Sequence, residues 1–225
     1  MSNFYYVPQE QIMKDKAEFA QKGIARGRSI VAAIYDQGVV LVAENPSASL
    51  FKISELYDRL AFAGVGKYNE FDRLREAGIR WADSTGFTYS REDVEARALA
   101  NYYAQYLGDT FSSGYKPLEV EVLVAQLGSE TRPTKLYRIG YEGTISDEPR
   151  FAVLGGDADT IRARFAASLS ELAPLNVTLQ RAVAALAGPD RTIATIDLEV
   201  AVLEDRGTRR TFRRVSEVDI DALRG

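Results

Sequence analysis

The chain contains no cysteine and no histidine in 225 residues. Without cysteine there are no disulfides, thiolate nucleophiles or zinc–cysteine sites. Without histidine the Ser-His and Cys-His triads, the usual imidazole acid–base and most transition-metal sites fall away. Catalysis would have to use carboxylates, lysine, hydroxyls or a terminal amine. No apolar run approaches the length of a membrane span. The segment Met1 to Val7 is neither basic nor followed by an apolar h-region, so it does not read as a secretory signal. The expected compartment is the cytoplasm. A surplus of positive charge is missing too, and the net charge of −4 argues against bulk affinity for nucleic acid or anionic membrane. Apolar residues make up 46%, enough for a sizeable core in an otherwise ordinary soluble composition.

The most informative stretch runs from Gly27 to Pro46 and reads as a tight β-hairpin. Ile30 to Tyr35 and Val39 to Ala43 are its β-rich runs. Asp36-Gln37-Gly38 supplies the turn, with Gly38 expected in a left-handed conformation. A helix is expected before it, from Pro8 to about Lys22, with Gly23 as terminator. Ile12, Met13, Ala17, Phe19 and Ala20 share one side of that helix. Burying Ile12, Met13 and Phe19 is worth about 1.5–3 kcal/mol each, so the helix must dock on the body of the protein or on a neighbour.

Further along, Leu60 to Gly66 reads as the buried strand of the Lys52 to Gly66 segment. Two helices follow, opened by Asn69 with Asp72 and by Ser90 with Asp93 as capping pairs. Their inner stripes read as Phe71, Leu74, Gly78 and Trp81, and as Val94, Ala98, Tyr102 and Tyr106. Strands return over 120–127, 136–141 and 151–154, with a turn at Glu142-Gly143 and a break at Gly155-Gly156. A second helix pair spans about 159–172 and 176–187. The last strands, 196–203 and 211–215, are joined by Asp205-Arg-Gly207, and Ser216 with Asp219 caps a terminal helix. The predicted fold is α+β, a four-layer αββα sandwich of two stacked antiparallel sheets flanked by helix pairs, with an extra N-terminal helix. One domain over 1–225 is expected: a tail over 1–7, a helix over 8–23, a core over 28–215 and a terminal helix over 216–225.

Most motifs have plain readings. Gly64-Val-Gly-Lys-Tyr68 lacks the first glycine and the Ser/Thr of a phosphate loop. At Leu154-Gly-Gly-Asp157, Asp157 and Asp159 would repel an anion. Arg206, Arg209, Arg210, Arg213 and Arg214 suit either nucleic acid or else a solvated edge hairpin or polar interface, and the acidic chain favours the second reading. Phe4, Tyr5 and Tyr6 are unusual in a loose tail. They pack either on their own domain or between symmetric copies.

Several stretches then act together. They are Lys22-Gly-Ile-Ala-Arg-Gly-Arg-Ser29, Val42-Ala-Glu-Asn-Pro-Ser47, Lys52-Ile-Ser-Glu-Leu-Tyr-Asp-Arg59 and Gly66-Lys-Tyr-Asn-Glu-Phe-Asp72. They continue in Ala100-Asn-Tyr-Tyr-Ala-Gln-Tyr-Leu-Gly108, Leu136-Tyr-Arg-Ile-Gly-Tyr-Glu-Gly143, Asp197-Leu-Glu-Val-Ala-Val-Leu203 and Arg210-Thr-Phe-Arg-Arg214. In order and spacing the chain resembles the 20S proteasome α-subunits, most closely the actinobacterial type. The resemblance implies the N-terminal-nucleophile hydrolase sandwich and homo-heptameric α-rings on the outside of two β-rings that carry out the proteolysis. Active β-subunits expose an N-terminal threonine whose α-amine, with a pKa of roughly 7.7–8.0, can take the hydroxyl proton. Superposed hairpins put Arg28 at the threonine position, Glu44 at the aspartate and Lys52 at the lysine. Arginine has no nucleophilic oxygen, and the preceding helix leaves no free amine. The resemblance assigns Lys52, with Gly66, Gly27 and Arg26, to a pocket that receives the C-terminal carboxylate of a ring-shaped ATPase or other activator. It assigns Ser2, Asn3, Phe4, Tyr5, Tyr6, Val7 and Pro8 to the gate of the axial pore. No catalytic residue, cofactor, metal, nucleic acid or membrane is implied. The alternative is a self-processed hydrolase using Ser29.

Overall fold

The computed structural model describes residues 8–169 and 171–225. Its elements begin with α1 (Gln9–Ala25), β1 (Ile30–Tyr35), β2 (Gly38–Glu44), β3 (Ile53–Tyr57), β4 (Leu60–Gly66), α2 (Tyr68–Thr88) and α3 (Ala96–Ser113). They continue with β5 (Val120–Gln126), β6 (Lys135–Ile139), β7 (Ile145–Asp147), β8 (Phe151–Leu154), α4 (Ala158–Ser168) and α5 (Leu175–Ala187). Strands β9 (Leu198–Glu204) and β10 (Phe212–Arg214) and helix α6 (Glu217–Arg224) complete the chain. One sheet has the order β10-β9-β2-β1-β8 and the other β3-β4-β5-β6-β7. Every pairing is antiparallel.

Three apolar layers result. Val31, Ala33 and Tyr35 of β1 point out of the first sheet toward α4, α5 and α6, among Ile161, Phe165, Leu179 and Ile220. Ile30 and Ala32 of the same strand point inward, against Ile53, Ala63 and Leu123 of the second sheet. Phe62, Val122 and Val124 face outward from the second sheet onto Phe71, Leu99, Tyr103 and Leu107 of α2 and α3. A strand buried on both faces has no polar side, which is why these segments are apolar throughout. This is the expected αββα sandwich.

Several local expectations are corrected. Gly38 does not take a left-handed φ. It is glycine because an added Cβ would lie 2.0 Å from the Leu203 carbonyl oxygen on the neighbouring strand. The segment 52–66 holds two strands, because Ile53, Leu56 and Tyr57 also find buried positions. Helix α1 passes Gly23 and ends at Ala25; Gly23 sits inside it because the Glu119 side chain packs against its bare Cα. Asn69 and Asp72 lie within α2, which starts at Tyr68 without a side-chain cap, and Asp72 pairs with Arg75. Trp81 is half-buried, and Ala82 takes the buried position beside it. Ser90 caps a single 3₁₀ turn over Arg91–Asp93, while α3 begins at Ala96, whose N–H donates to Gln126 Oε1 at 2.8 Å. Its buried row is Ala96, Leu99, Ala100, Tyr103 and Leu107. Tyr102 and Tyr106 lie on the outside. Rows four apart exist all round a helix, and the Tyr103 hydroxyl, donating to Leu74 O at 2.9 Å, marks the inward one.

On α1, Ala20 and Ile24 are buried, but Ile12 and Phe19 remain 42% and 44% exposed. The helix is also tied down by Lys16 Nζ, which donates to Phe111 O and Gly114 O at 3.0 and 2.8 Å. At the other end, Ser216 Oγ accepts from Asp219 N at 3.2 Å and caps α6. Ser216→Ala is expected to cost about 1 kcal/mol, read as a lower urea midpoint at unchanged m-value. An unchanged midpoint would show that the buried Ile220 alone holds α6.

Candidate functional site

The β1–β2 register pairs Ile30 with Ala43, and Glu44 N donates to Ser29 O at 3.4 Å. Residue 29, just before β1, therefore lies opposite residue 44, the last of β2, and the neighbouring Arg28 reaches the same residue through its side chain. The Arg28 guanidinium forms an ion pair with Glu44 Oε1. Arg191, in the segment after α5, completes a fork: its Nη1 donates to Glu44 Oε1 at 2.8 Å and its Nη2 to Oε2 at 2.7 Å. The hydrogen bonds from Arg191 hold the Glu44 carboxyl below the ordinary carboxylate range, and Arg28 and Lys52 add to the effect.

Lys52 arrives from the second sheet, one residue before β3. Its Nζ donates to Arg28 O at 2.7 Å and Glu44 O at 3.1 Å. Burial pushes its pKa down to about 8, against the pull of Glu199 and Glu44 and with a smaller push from Arg28. Its backbone is held from the first sheet. Glu199 on β9 is buried between the sheets and accepts from Lys52 N at 2.8 Å and Ile53 N at 3.0 Å. It also accepts from Asn45 Nδ2 at 2.7 Å and Arg214 Nη1 at 2.8 Å. One carboxylate thus sets where Lys52 leaves the second sheet.

The predicted site residues fall as follows. Gly27 packs against Gly66, since a Cβ on Gly27 would be 3.1 Å from Gly66 N. Gly66 takes φ +104° at the end of β4. Arg26 closes α1 and lines, with Gly27, Arg28, Glu44, Arg164 and Arg191, a cleft of about 820 Å³ between the C-terminal ends of α1 and α5 and the start of α4. Lys52 is not part of that lining, although its Nζ sits on the carbonyls of two residues that are. Pro8 precedes α1. Ser2, Asn3, Phe4, Tyr5, Tyr6 and Val7 lie outside the described residues.

Arg191 and the four-fold role of Glu199 are not apparent in the sequence. Arg191 follows a helix end at Gly188-Pro-Asp, and no local pattern ties it to Glu44. Glu199 interrupts an apolar strand, and that interruption is the one visible signal of a buried charge. In the arginine cluster, Arg210 pairs with Glu55, Arg213 with Glu204 and Arg214 with Glu199, on the edge strand β10 and its hairpin.

Chemically, the site places three cations around one carboxylate. Arg28 at the hairpin start offers no nucleophilic oxygen. The Ser29 hydroxyl is buried against Gly155, in the middle of a continuous chain. The arrangement suits an anion rather than a scissile bond. No group of side chains able to hold a metal ion occurs among the described residues.

The proteasome subunit family model matches residues 24–188. The chain is 59% identical over 219 residues to a protein named proteasome subunit alpha from Acidimicrobium ferrooxidans, covering 97% of this chain and 94% of the relative. Relatives of the same name from Mycobacterium leprae and Mycobacterium tuberculosis are 51% and 49% identical, each covering 99% of this chain. They are covered over 88% and 94% of their own lengths. With the family model spanning most of the chain and these relatives spanning nearly all of it, the chain belongs to the proteasome subunit family, as an alpha-type member.

Proposed function

We propose that this chain is a non-catalytic ring and gate subunit, acting in the cytoplasm. It forms homo-heptameric outer rings on inner rings of β-subunits, which perform threonine-dependent proteolysis. Its N-terminal segment, Ser2 to Pro8, gates substrate entry, and the region of Lys52, Gly66, Gly27 and Arg26 docks the C-terminal tails of a ring-shaped ATPase or other activator. The observation that carries this reading is Arg28: the residue at the head of the hairpin is an arginine locked to Glu44, inside the chain and behind a helix. The exposed Ile12 and Phe19 on α1 support assembly, since a neighbour can cover them.

Native mass measurement of the chain with and without a β-type subunit tests the assembly. A ring-sized particle with the β partner, and no peptidase activity from this chain alone, are the expected results. Absence of any ring-sized particle would sink the reading. Docking is tested by Lys52→Ala in the assembled particle. One charge-assisted bond is worth about 1.5–3 kcal/mol, so each tail binds roughly ten- to a hundredfold more weakly while the particle stays intact. Several tails on one activator multiply that loss through effective concentration. Wild-type tail affinity should also fall as pH rises through about 8, where the ammonium is lost. Unchanged activator affinity in Lys52→Ala would remove Lys52 from the docking site.

A further inference from the structure

Glu44 and Lys52 pose a problem for any site that must keep a lysine available. The Lys52 ammonium rests on the main-chain oxygen of Glu44 itself. The side chain of that same residue ends in a carboxylate near enough for its charge to act on the ammonium. Among the described residues Lys52 takes part in no salt bridge, and its Nζ is held by carbonyl oxygens. Glu44, on the same outward side of β2 as Val40 and Val42, instead pairs with two arginines, and their shares differ. Arg28 contacts Oε1 alone, with a guanidinium that is half exposed. Arg191 takes both oxygens, and among the described residues Oε2 is held by Arg191 only.

Arg191 is itself fixed. Its Nη2 also donates to Leu186 O at 3.0 Å and its Nε to Ala187 O at 3.2 Å, the last carbonyls of α5. A cation at a helix C-terminus is favoured by the free carbonyls there. A planar fork bound on two sides is a pre-organised clamp.

From this geometry we infer that Arg191 is a positioning residue: it holds the Glu44 carboxylate off Lys52 and so keeps the Lys52 ammonium open to an incoming C-terminal carboxylate. The second half of that statement rests on the docking function proposed above. The first half stands without it. Removing Arg191 frees Oε2; of the cations left to Glu44, Arg28 already occupies Oε1, and Oε2 then turns to Lys52, in competition with the tail. The other charged groups facing Lys52 are Arg28 and Glu199, and neither changes in the experiment.

The test reads the Lys52 amine directly, in the full chain, by competitive acetylation with acetic anhydride at pH 8 and mass-spectrometric mapping. Near its pKa of about 8 roughly half of Lys52 is neutral and reactive. In Arg191→Gln, pairing with Glu44 that raises the pKa by about one unit leaves roughly a tenth neutral, a fall of about fivefold in rate. Arg191→Gln combined with Glu44→Gln returns the rate to wild type or above, because the competing carboxylate is gone. Arg191→Met serves as the second variant if the Gln form does not fold. A crystal structure of the single variant should place a Glu44 carboxylate oxygen about 3 Å from Lys52 Nζ. An unchanged rate, a carboxylate still turned away, or no recovery in the double variant overturns the inference. Docking is read separately, by comparing a short N-acetylated peptide carrying a free C-terminal carboxylate with its amide on the assembled wild-type particle. Equal binding of the two would refute carboxylate docking and leave the Arg191 result standing.

Discussion

Replacing Glu199 by alanine should destabilise the isolated chain by about 3–5 kcal/mol, the range for removing one partner of a buried charged pair. Four donors converge on this carboxylate: the main-chain N–H groups of Lys52 and Ile53, the Asn45 amide and the Arg214 guanidinium. The donors of Ile53 and Asn45 have no water at hand to replace it, since both residues are buried with Glu199. Each buried donor left unsatisfied costs about 1–3 kcal/mol. Arg214 is partly exposed and also donates to Ile53 O at 2.6 Å, so it contributes the smaller share. Glu199→Gln keeps the shape and one acceptor oxygen and should lose less. Urea unfolding of both variants is the measurement. A loss below about 1 kcal/mol for Glu199→Ala would show that the junction between the sheets at Lys52 is held by packing alone.

Gly66→Ala is expected to be nearly as damaging, for a steric reason. With φ at +104° the position lies where side chains are strained, at a cost of about 1–3 kcal/mol. The new Cβ would also stand 1.9 Å from the Glu119 carbonyl oxygen, a main-chain atom that cannot swing aside. Overpacking of that kind adds about 1–3 kcal/mol. The same carbonyl accepts the Lys67 N–H at 2.9 Å, so pushing it away weakens the start of α2. Relief in the other direction moves Gly66 toward Gly27 and the end of α1. The variant should therefore show a lowered unfolding midpoint and increased hydrogen exchange at residues 24–29. A midpoint within about 0.5 kcal/mol of wild type would mean that the backbone relaxes freely here.

Both sites show how legibility divides. The hairpin of β1 and β2, the strand Phe151–Leu154 and the Ser216 cap are readable because each is decided within a few residues, by β-branched side chains, by flanking glycines or by a hydroxyl three residues from its donor. The absence of histidine and cysteine bounds the chemistry through composition alone. Arg28 at the head of the hairpin argues against a nucleophile there, and its lock on Glu44 agrees with that argument.

What the sequence could not decide were contacts between distant segments. Gly38 reads as a turn glycine, yet Leu203, far along the chain, is the reason for it. Gly23 reads as a helix end, yet Glu119 makes it a packing position within the helix. The inward face of α3 is chosen by the burial of Tyr103 between α2 and the second sheet, because two neighbouring rows of the helix have equally regular spacing. Nothing in the residues next to Lys52 gives it a charged or carbonyl partner. Only the stacking of the sheets brings it onto the carbonyls of Arg28 and Glu44, and only the fold brings Arg191, from beyond α5, onto the Glu44 carboxylate. Composition and short-range pattern thus determined the elements and excluded histidine- and cysteine-based catalysis. The placement of charge depended on the tertiary structure, because the energy of a buried charge is set by partners that are neighbours in space and not in sequence.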